Sequence, residues 1–185
     1  MLGDLFAERR KTVHNTRLNF EQSKSTHESY LWFLFSIFSD LVGTPPKKPQ
    51  RKPHPITGEI YTSLAFKTLA FPCLNIFHDL FYSATGSKSI PVNISDYFTA
   101  ISLAFWIMDD GSKAGPGLRL CTDSYNHSDV LILTQCLKTN LDINCKPQKR
   151  GKNSWRIYIH GSEMAKVQAL VKAYMHTDML FKVGL

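Results

Sequence analysis

Helical and strand-like segments follow one another in the same order twice along the 185 residues, and this repetition limits the fold more than any single motif. From about Tyr97 onward the order reads helix, strands, helix, hairpin, helix. The first part reads strands, helix, hairpin, helix, with only Met1-Leu2-Gly3-Asp4 in front. That is the order of a repeat whose first copy lacks most of its first helix. The turn-rich stretch Gly86-Ser87-Lys88-Ser89-Ile90-Pro91-Val92-Asn93 links the copies and places them at 1–92 and 93–185. Two half-domains of helices and sheet, packed about a pseudo-twofold axis, are the architecture this implies.

Local patterns supply the elements. Ser25-x-x-Glu28 has the form of a capping box. Tyr30, Leu31, Phe33, Leu34, Ile37, Phe38 and Leu41 then repeat at three and four before Gly43, predicting a helix of about 15 residues. Pro72 opens a second helix, and a third runs from about Tyr97 to Asp109 and stops at Gly111. Asn126 caps a fourth and Ser162 a fifth. Strands alternate between them. Leu18 and Phe20, Leu64 and Phe66, Leu118 and Leu120, and Trp155, Ile157 and Ile159 share one face in each strand. Arg17, Asn19, Lys67, Arg119 and Arg156 mark the other, so each sheet has a polar, partly basic side.

Composition narrows the function classes. With 43% hydrophobic residues and a formal charge of +7, from 22 Lys+Arg against 15 Asp+Glu, the chain is a folding one and favours a polyanionic partner. Tyr30–Phe38, the longest apolar run, is about half of what a bilayer crossing needs, and no charged n-region with a cleavage site precedes it. Neither export nor a membrane span is expected. Cys73, Cys121, Cys136 and Cys145 form no C-x-x-C pair and read as buried free thiols. His14-Asn15 is only a fragment of an H-N-H pattern, and the seven histidines lack metal-ligand spacing.

The chemistry is signalled at Leu103-Ala104-Phe105-Trp106-Ile107-Met108-Asp109-Asp110-Gly111, an almost wholly apolar helix closed by two acids. A helix C-terminus carries partial negative charge, so an acid there costs on the order of 0.3–1 kcal/mol unless a cation compensates. Either the two acids are solvated at the start of a loop, or a cation such as a divalent metal sits beside them.

This nonapeptide resembles the second signature helix of the LAGLIDADG homing endonucleases, and Leu2-Gly3-Asp4 resembles the end of the first. The likeness continues through the Phe20-Glu21 strand, Ser89-Ile90-Pro91, Thr122-x-Ser124, Leu141-x-x-Asn144-Cys145 and Met179-Leu180-Phe181-Lys182, as in the two-repeat, intron-encoded branch. It implies an α+β fold of two αββαββα half-domains whose antiparallel sheets form a DNA-binding saddle, with signature helices paired at the centre. It also implies that Asp4 and Asp110 are metal ligands, joined by the backbone carbonyls of Gly3 and Asp109, with Mg²⁺ as cofactor. Such a metal activates water, neutralises the phosphorane and stabilises the leaving 3′-oxygen. A lysine nearby can assist as a catalytic residue: Lys182 matches the basic residue of the family, and Lys88, with Ser87 as the neighbouring alternative, is its counterpart. Ala100 and Ala104 suit a close helix approach.

The basic residues fall in matching places: Lys47, Lys48, Arg51 and Lys52 before the first hairpin, and Lys146, Lys149, Arg150, Lys152 and Arg156 along the second. With Arg9 and the strand residues Arg17, Asn19, Lys67 and Arg119, they form a ribbon surface suited to the major groove. Hairpin-tip Lys and Arg would meet phosphates, and strand-centre side chains would read base edges. Tyr61, Trp155 and Tyr158 are candidates for base stacking or for packing.

The resulting expectation is a monomeric, metal-dependent endonuclease acting on double-stranded DNA, encoded in a mitochondrion or, as the alternative, a plastid. Two others stand beside it: a maturase that assists a group I intron RNA, and an inactive fragment. Only three residues precede Asp4, so Met1 reads as an internal codon of a longer frame; if it is the start, low stability, dimerisation or inactivity is expected.

Overall fold

The computed structural model describes residues 1–185 except 61, 84, 85 and 153, so the stacking candidate Tyr61 lies outside the described residues. The chain divides into two compact units, Met1–Asp79 and Leu80–Leu185.

In the first unit, β1 (Phe6–Glu8), β2 (Arg17–Ser23) and β3 (Ser63–Lys67) make an antiparallel sheet in the order β1-β2-β3. Leu18, Phe20, Leu64 and Phe66 are buried on its inner face, where Phe20 and Phe66 stack with ring centroids 4.5 Å apart. Helix α1 (Lys24–Phe38) covers that face, with Tyr30, Leu31 and Leu34 buried. The expected capping box at Ser25 and Glu28 does not form. Helix α1 starts directly from the end of β2, its N-cap Ser23 makes no side-chain cap bond, and His27 leaves helical geometry at φ −132°. Pro72 does open the next helix, a 3-10 turn at Pro72–Leu74 running into α2 (Asn75–Phe81).

The first copy departs from the expected hairpin. Lys47 pairs with Ala65 only as an isolated bridge, and Lys48 to Ile60 form no strand. Pro45, Pro46, Pro49, Pro53 and Pro55 explain this, since proline lacks the donor a ladder needs. Met1–Leu5 are likewise irregular.

The second unit contains α3 (Ala100–Asp110), β4 (Gly111–Ala114), β5 (Gly117–Cys121), α4 (His127–Leu141), β6 (Cys145–Lys149), β7 (Trp155–Ile159) and α5 (Met164–Val171). Its four-stranded antiparallel sheet runs β4-β5-β7-β6. Leu118, Leu120, Ile157 and Ile159 are wholly buried on one face, covered by α3 and α4. Asn126 caps α4 as expected, accepting from the Asp129 amide at 2.9 Å. Helix α3 begins three residues later than the periodicity suggests, because Thr99 and Ser102 make a capping box. At the fifth helix His160, not Ser162, accepts the cap bond, and Gly161–Glu163 form a 3-10 turn before α5.

Among the described residues no helix is long and apolar enough to cross a membrane. Of the thiols, Cys136 is buried, Cys121 and Cys145 are half-buried, and Cys73 is exposed, which corrects the expectation that all four are buried. Burial pushes Cys136 up to about 11 and Cys145 up to about 12. A raised pKa suppresses the reactive thiolate below that pH, so a disulfide reagent at pH 8 should titrate Cys73 rapidly and Cys136 and Cys145 only after unfolding.

Gly117 is required by close approach: a Cβ there would stand 2.2 Å from the Ile159 carbonyl oxygen. Gly117→Ala should therefore cost roughly 1–3 kcal/mol, read as a lower urea midpoint with an unchanged slope.

Candidate functional site

Helix α3 buries Leu103, Ala104, Trp106, Ile107 and Met108 and leaves Asp109 and Asp110 half-buried at its carboxyl end. Gly111 ends it in an extended conformation, φ −77°, rather than a left-handed one. The glycine is needed because a Cβ would lie 2.6 Å from the Ile107 carbonyl oxygen. A cavity of about 250 Å³ opens there, lined by Asp109, Asp110, Gly111, Ser112, Arg119, Cys121 and Arg156.

The cation that this helix end calls for is present in the chain. Lys182, in the final 3-10 helix Thr177–Val183, is only 6% exposed. Its ammonium donates to the carbonyl oxygens of Met108 at 2.5 Å and Asp109 at 3.1 Å. Lys182 thus offsets the negative end of α3 and satisfies carbonyls that the helix leaves open. Lys88 sits differently, half-buried in an isolated bridge with Tyr82. Tyr125, missed in the sequence, is buried near the acids. Burial, and then the charge of Asp110, push its phenol well above the usual range, so it stays protonated.

In the first unit Asp4 is exposed and accepts a hydrogen bond from Gln22 Nε2 at 3.0 Å. Gln22 is itself buried, and its Oε1 lies 3.2 Å from His27 Nδ1. A buried, doubly bonded amide therefore orients this carboxylate. Only the break in strand alternation at Gln22, a polar residue at an inward position, could have pointed to it.

The outward sheet faces carry the basic residues in rows. In the second unit Ser112, Arg119, Tyr158 and Lys146 stand side by side across all four strands, with Cys121, Arg156 and Gln148 in the next row. Tyr158 is thus on the polar face. Trp155 is not: it stacks on His127 at 4.1 Å, with Lys149 6.0 Å over its ring. Lys152 is exposed beside Arg150 in the β6–β7 connection. In the first unit Asn19 lies between Phe6 and Lys67, and Arg17 opposite Glu8. Glu8 accepts from Arg10 and Arg17 and approaches Lys67 at 3.9 Å, and these cations, Arg10 first, hold its carboxyl below the usual range. Lys47, Lys48, Arg51 and Lys52 are all exposed. The neighbouring Lys24 ammonium pushes the pKa of Lys48 below its usual value.

Arg9 is corrected. It donates to the carbonyl oxygens of His14 and Thr12 and pairs with Asp79 at 2.8 Å, so it staples the β1–β2 connection to α2.

The donor set suits the divalent metal that the resemblance implies. The Asp109 and Asp110 carboxylates and the backbone oxygen of Asp109, which also accepts from Lys182, are hard oxygen donors, the kind Mg²⁺ takes while keeping several waters. Cys121 adds no soft ligand: burial, then its bond to Asp123, raise its thiol above the ordinary value, so the thiolate is disfavoured. Among the described residues no group of three His, Cys, Asp or Glu is placed to hold a metal alone.

If Lys182 supports the helix end in this way, Lys182→Met should destabilise the fold by about 1–3 kcal/mol, since it strips two carbonyls of their donor. Urea unfolding measures this, and an unchanged midpoint would contradict it.

Residues 1–167 match the model of the LAGLIDADG DNA endonuclease family. Cytochrome b mRNA maturase bI2 of Saccharomyces cerevisiae is 32% identical over 192 residues, taking in 100% of this chain. The chain spans 45% of that maturase's length. Intron-encoded endonuclease ai4 of Dictyostelium discoideum is 31% identical over 121 residues, 65% of this chain and 76% of that protein. The structure of the homing endonuclease I-WcaI bound to its DNA recognition sequence superposes with a TM-score of 0.89 at 27% identity, covering 98% of this chain and 81% of that one. By the family match along most of its length, the chain belongs to the LAGLIDADG DNA endonuclease family.

Proposed function

We propose that the chain is a site-specific endonuclease that hydrolyses both strands of a duplex DNA target, using Mg²⁺. The observation that carries this reading is the buried helix α3, which delivers Asp109 and Asp110 to a cavity shared with the outward arginines Arg119 and Arg156. Acid and phosphate-binding groups thus meet at one edge of a basic sheet. Nucleases of this family use divalent metals.

In this reading Asp4 and Asp110 hold metal through their carboxylates, with the carbonyls of Gly3 and Asp109, and serve one strand each. A bound metal supplies activated water and charge neutralisation. Gln22 orients Asp4, and Lys182 keeps the end of α3 in place, so it is a positioning residue rather than a group that touches phosphate. Lys88 is its counterpart from the first repeat, with the repeats at 1–92 and 93–185. The outward rows, Arg17, Asn19 and Lys67 in one unit and Arg119, Lys146 and Arg156 in the other, read the target. Lys47, Lys48, Arg51, Lys52, Lys149, Arg150 and Lys152 meet its phosphates. The likeness to I-WcaI supports a DNA partner, and the intron-encoded relatives support synthesis within a mitochondrion.

A second reading, assistance to a group I intron RNA, is favoured by the bI2 maturase, which aligns with the whole chain. The acids discriminate. With Mg²⁺ and a randomised duplex library, the protein should generate reproducible ends with short 3′ overhangs, and Asp110→Asn should abolish them. Absence of ends from the folded wild type, with intron splicing that survives Asp110→Asn, would establish the maturase reading instead.

A further inference from the structure

Each unit contains one carboxylate that grips an arginine and a serine of its basic arm. In the first, Glu21 on the outward face of β2 accepts from Arg51 and, at 2.5 Å, from Ser63 Oγ, while Arg51 Nε also reaches Ser63 Oγ at 3.5 Å. In the second, Asp123 accepts from Ser154 Oγ at 2.6 Å, from Arg150 at 2.6 Å and from Arg156 at 3.1 Å. Arg150 N also bonds the Ser154 carbonyl at 2.9 Å, closing the β6–β7 connection.

The two serines hold matching places. Ser63 pairs with Ser23 across β2–β3, and Ser154 falls opposite Asp123 when the β5–β7 register is continued past Cys121 and Arg156. The strands align with an offset of one hundred, Leu18 on Leu118 and His27 on His127. The carboxylate therefore stands at position 123 in one copy, in the turn just past β5, and at 21 in the other, two aligned positions earlier on β2. The same trio of groups arises from different positions, which a shared sequence motif does not explain. Surface ion pairs of this exposure add little to stability, so the recurrence points to another role. Both carboxyls are held below the usual range, chiefly by these partners.

We propose that Glu21 and Asp123 are clasps that occupy Arg51 and Arg150 in place of DNA phosphate, so that each arm engages a duplex by exchanging a carboxylate for a phosphate. A guanidinium presents the same fork to either anion. The clasp keeps the arginine aimed along the sheet and cancels one positive charge per arm toward DNA of any sequence. It thereby lowers non-specific affinity while leaving a phosphate in the correct place able to complete the exchange. This rests on the DNA-binding reading above.

The test compares wild type, Glu21→Gln and Asp123→Asn, each verified by a cooperative melt, for binding to a random-sequence 40-base-pair duplex between 50 mM and 1 M salt. Each variant should bind more tightly, with the slope of log K against log salt steeper by about 0.9. That slope corresponds to about fivefold at 0.15 M salt, fading toward 1 M. Without DNA, trypsin should cut faster after Arg51 in Glu21→Gln, and after Arg150 and Lys152 in Asp123→Asn. Wild-type binding with unchanged slopes in the variants overturns the clasp. A folded wild type that binds no duplex at 50 mM salt defeats the DNA reading instead. In that case the tryptic rates decide the clasp, and equal rates overturn it. Should either amide variant fail to melt cooperatively, Arg51→Gln and Arg150→Gln replace it. Removing an arginine already neutralised should lower the slope by clearly less than 0.9, and a full loss of 0.9 overturns the proposal.

Discussion

The contact on which the second unit depends is a lysine at the wrong-signed end of a buried helix. Helix α3 has to be inside, because its side chains are apolar nearly all round, yet it ends in two acids and a set of open carbonyls. The Lys182 ammonium on the Met108 and Asp109 carbonyls supplies the charge and the donors together. The acids can then remain at the helix terminus, pointed to a cavity edge, without the helix fraying. A metal is thus not needed to hold the helix end. That separates the stability of the site from its chemistry, and the final 3-10 helix serves as part of the support.

Charge balance on the sheets follows a similar logic. The outward faces are basic in total but contain Glu8, Glu21 and Asp123, each paired with at least one arginine. These carboxylates set the side-chain directions of Arg17, Arg51, Arg150 and Arg156, which as free surface cations would sample many rotamers. An arranged cationic surface loses less entropy on meeting a polyanion than a disordered one. Glu8 does this from β1 and Asp123 from the turn after β5, so the order is distributed over the faces rather than concentrated at one motif.

Much of the element order was legible because it rests on local physics. The alternation at Leu18 and Phe20 or Ile157 and Ile159 needs only the pleat, and the Asn126 cap needs only an oxygen next to open amides. The misses share a cause. Ser25 and Glu28 spell a capping box, but β2 runs straight into α1 and His27 breaks the geometry, so no such box closes. Nothing local shows either that Arg9 pairs with Asp79, seventy residues away.

Residue types and their spacing alone determined that the chain holds two helix-and-strand repeats, that a buried helix ends at Asp109 and Asp110, and that the polar sheet faces are basic. These follow from periods of two and 3.6 and from charge, which neighbours along the chain decide. The tertiary structure decided that Lys182 answers the acids, that Gln22 and His27 hold Asp4, and which carboxylate grips which arginine. Each of these joins residues far apart in sequence or on separate elements, through bonds of about 3 Å whose formation depends on backbone placement that no local pattern encodes.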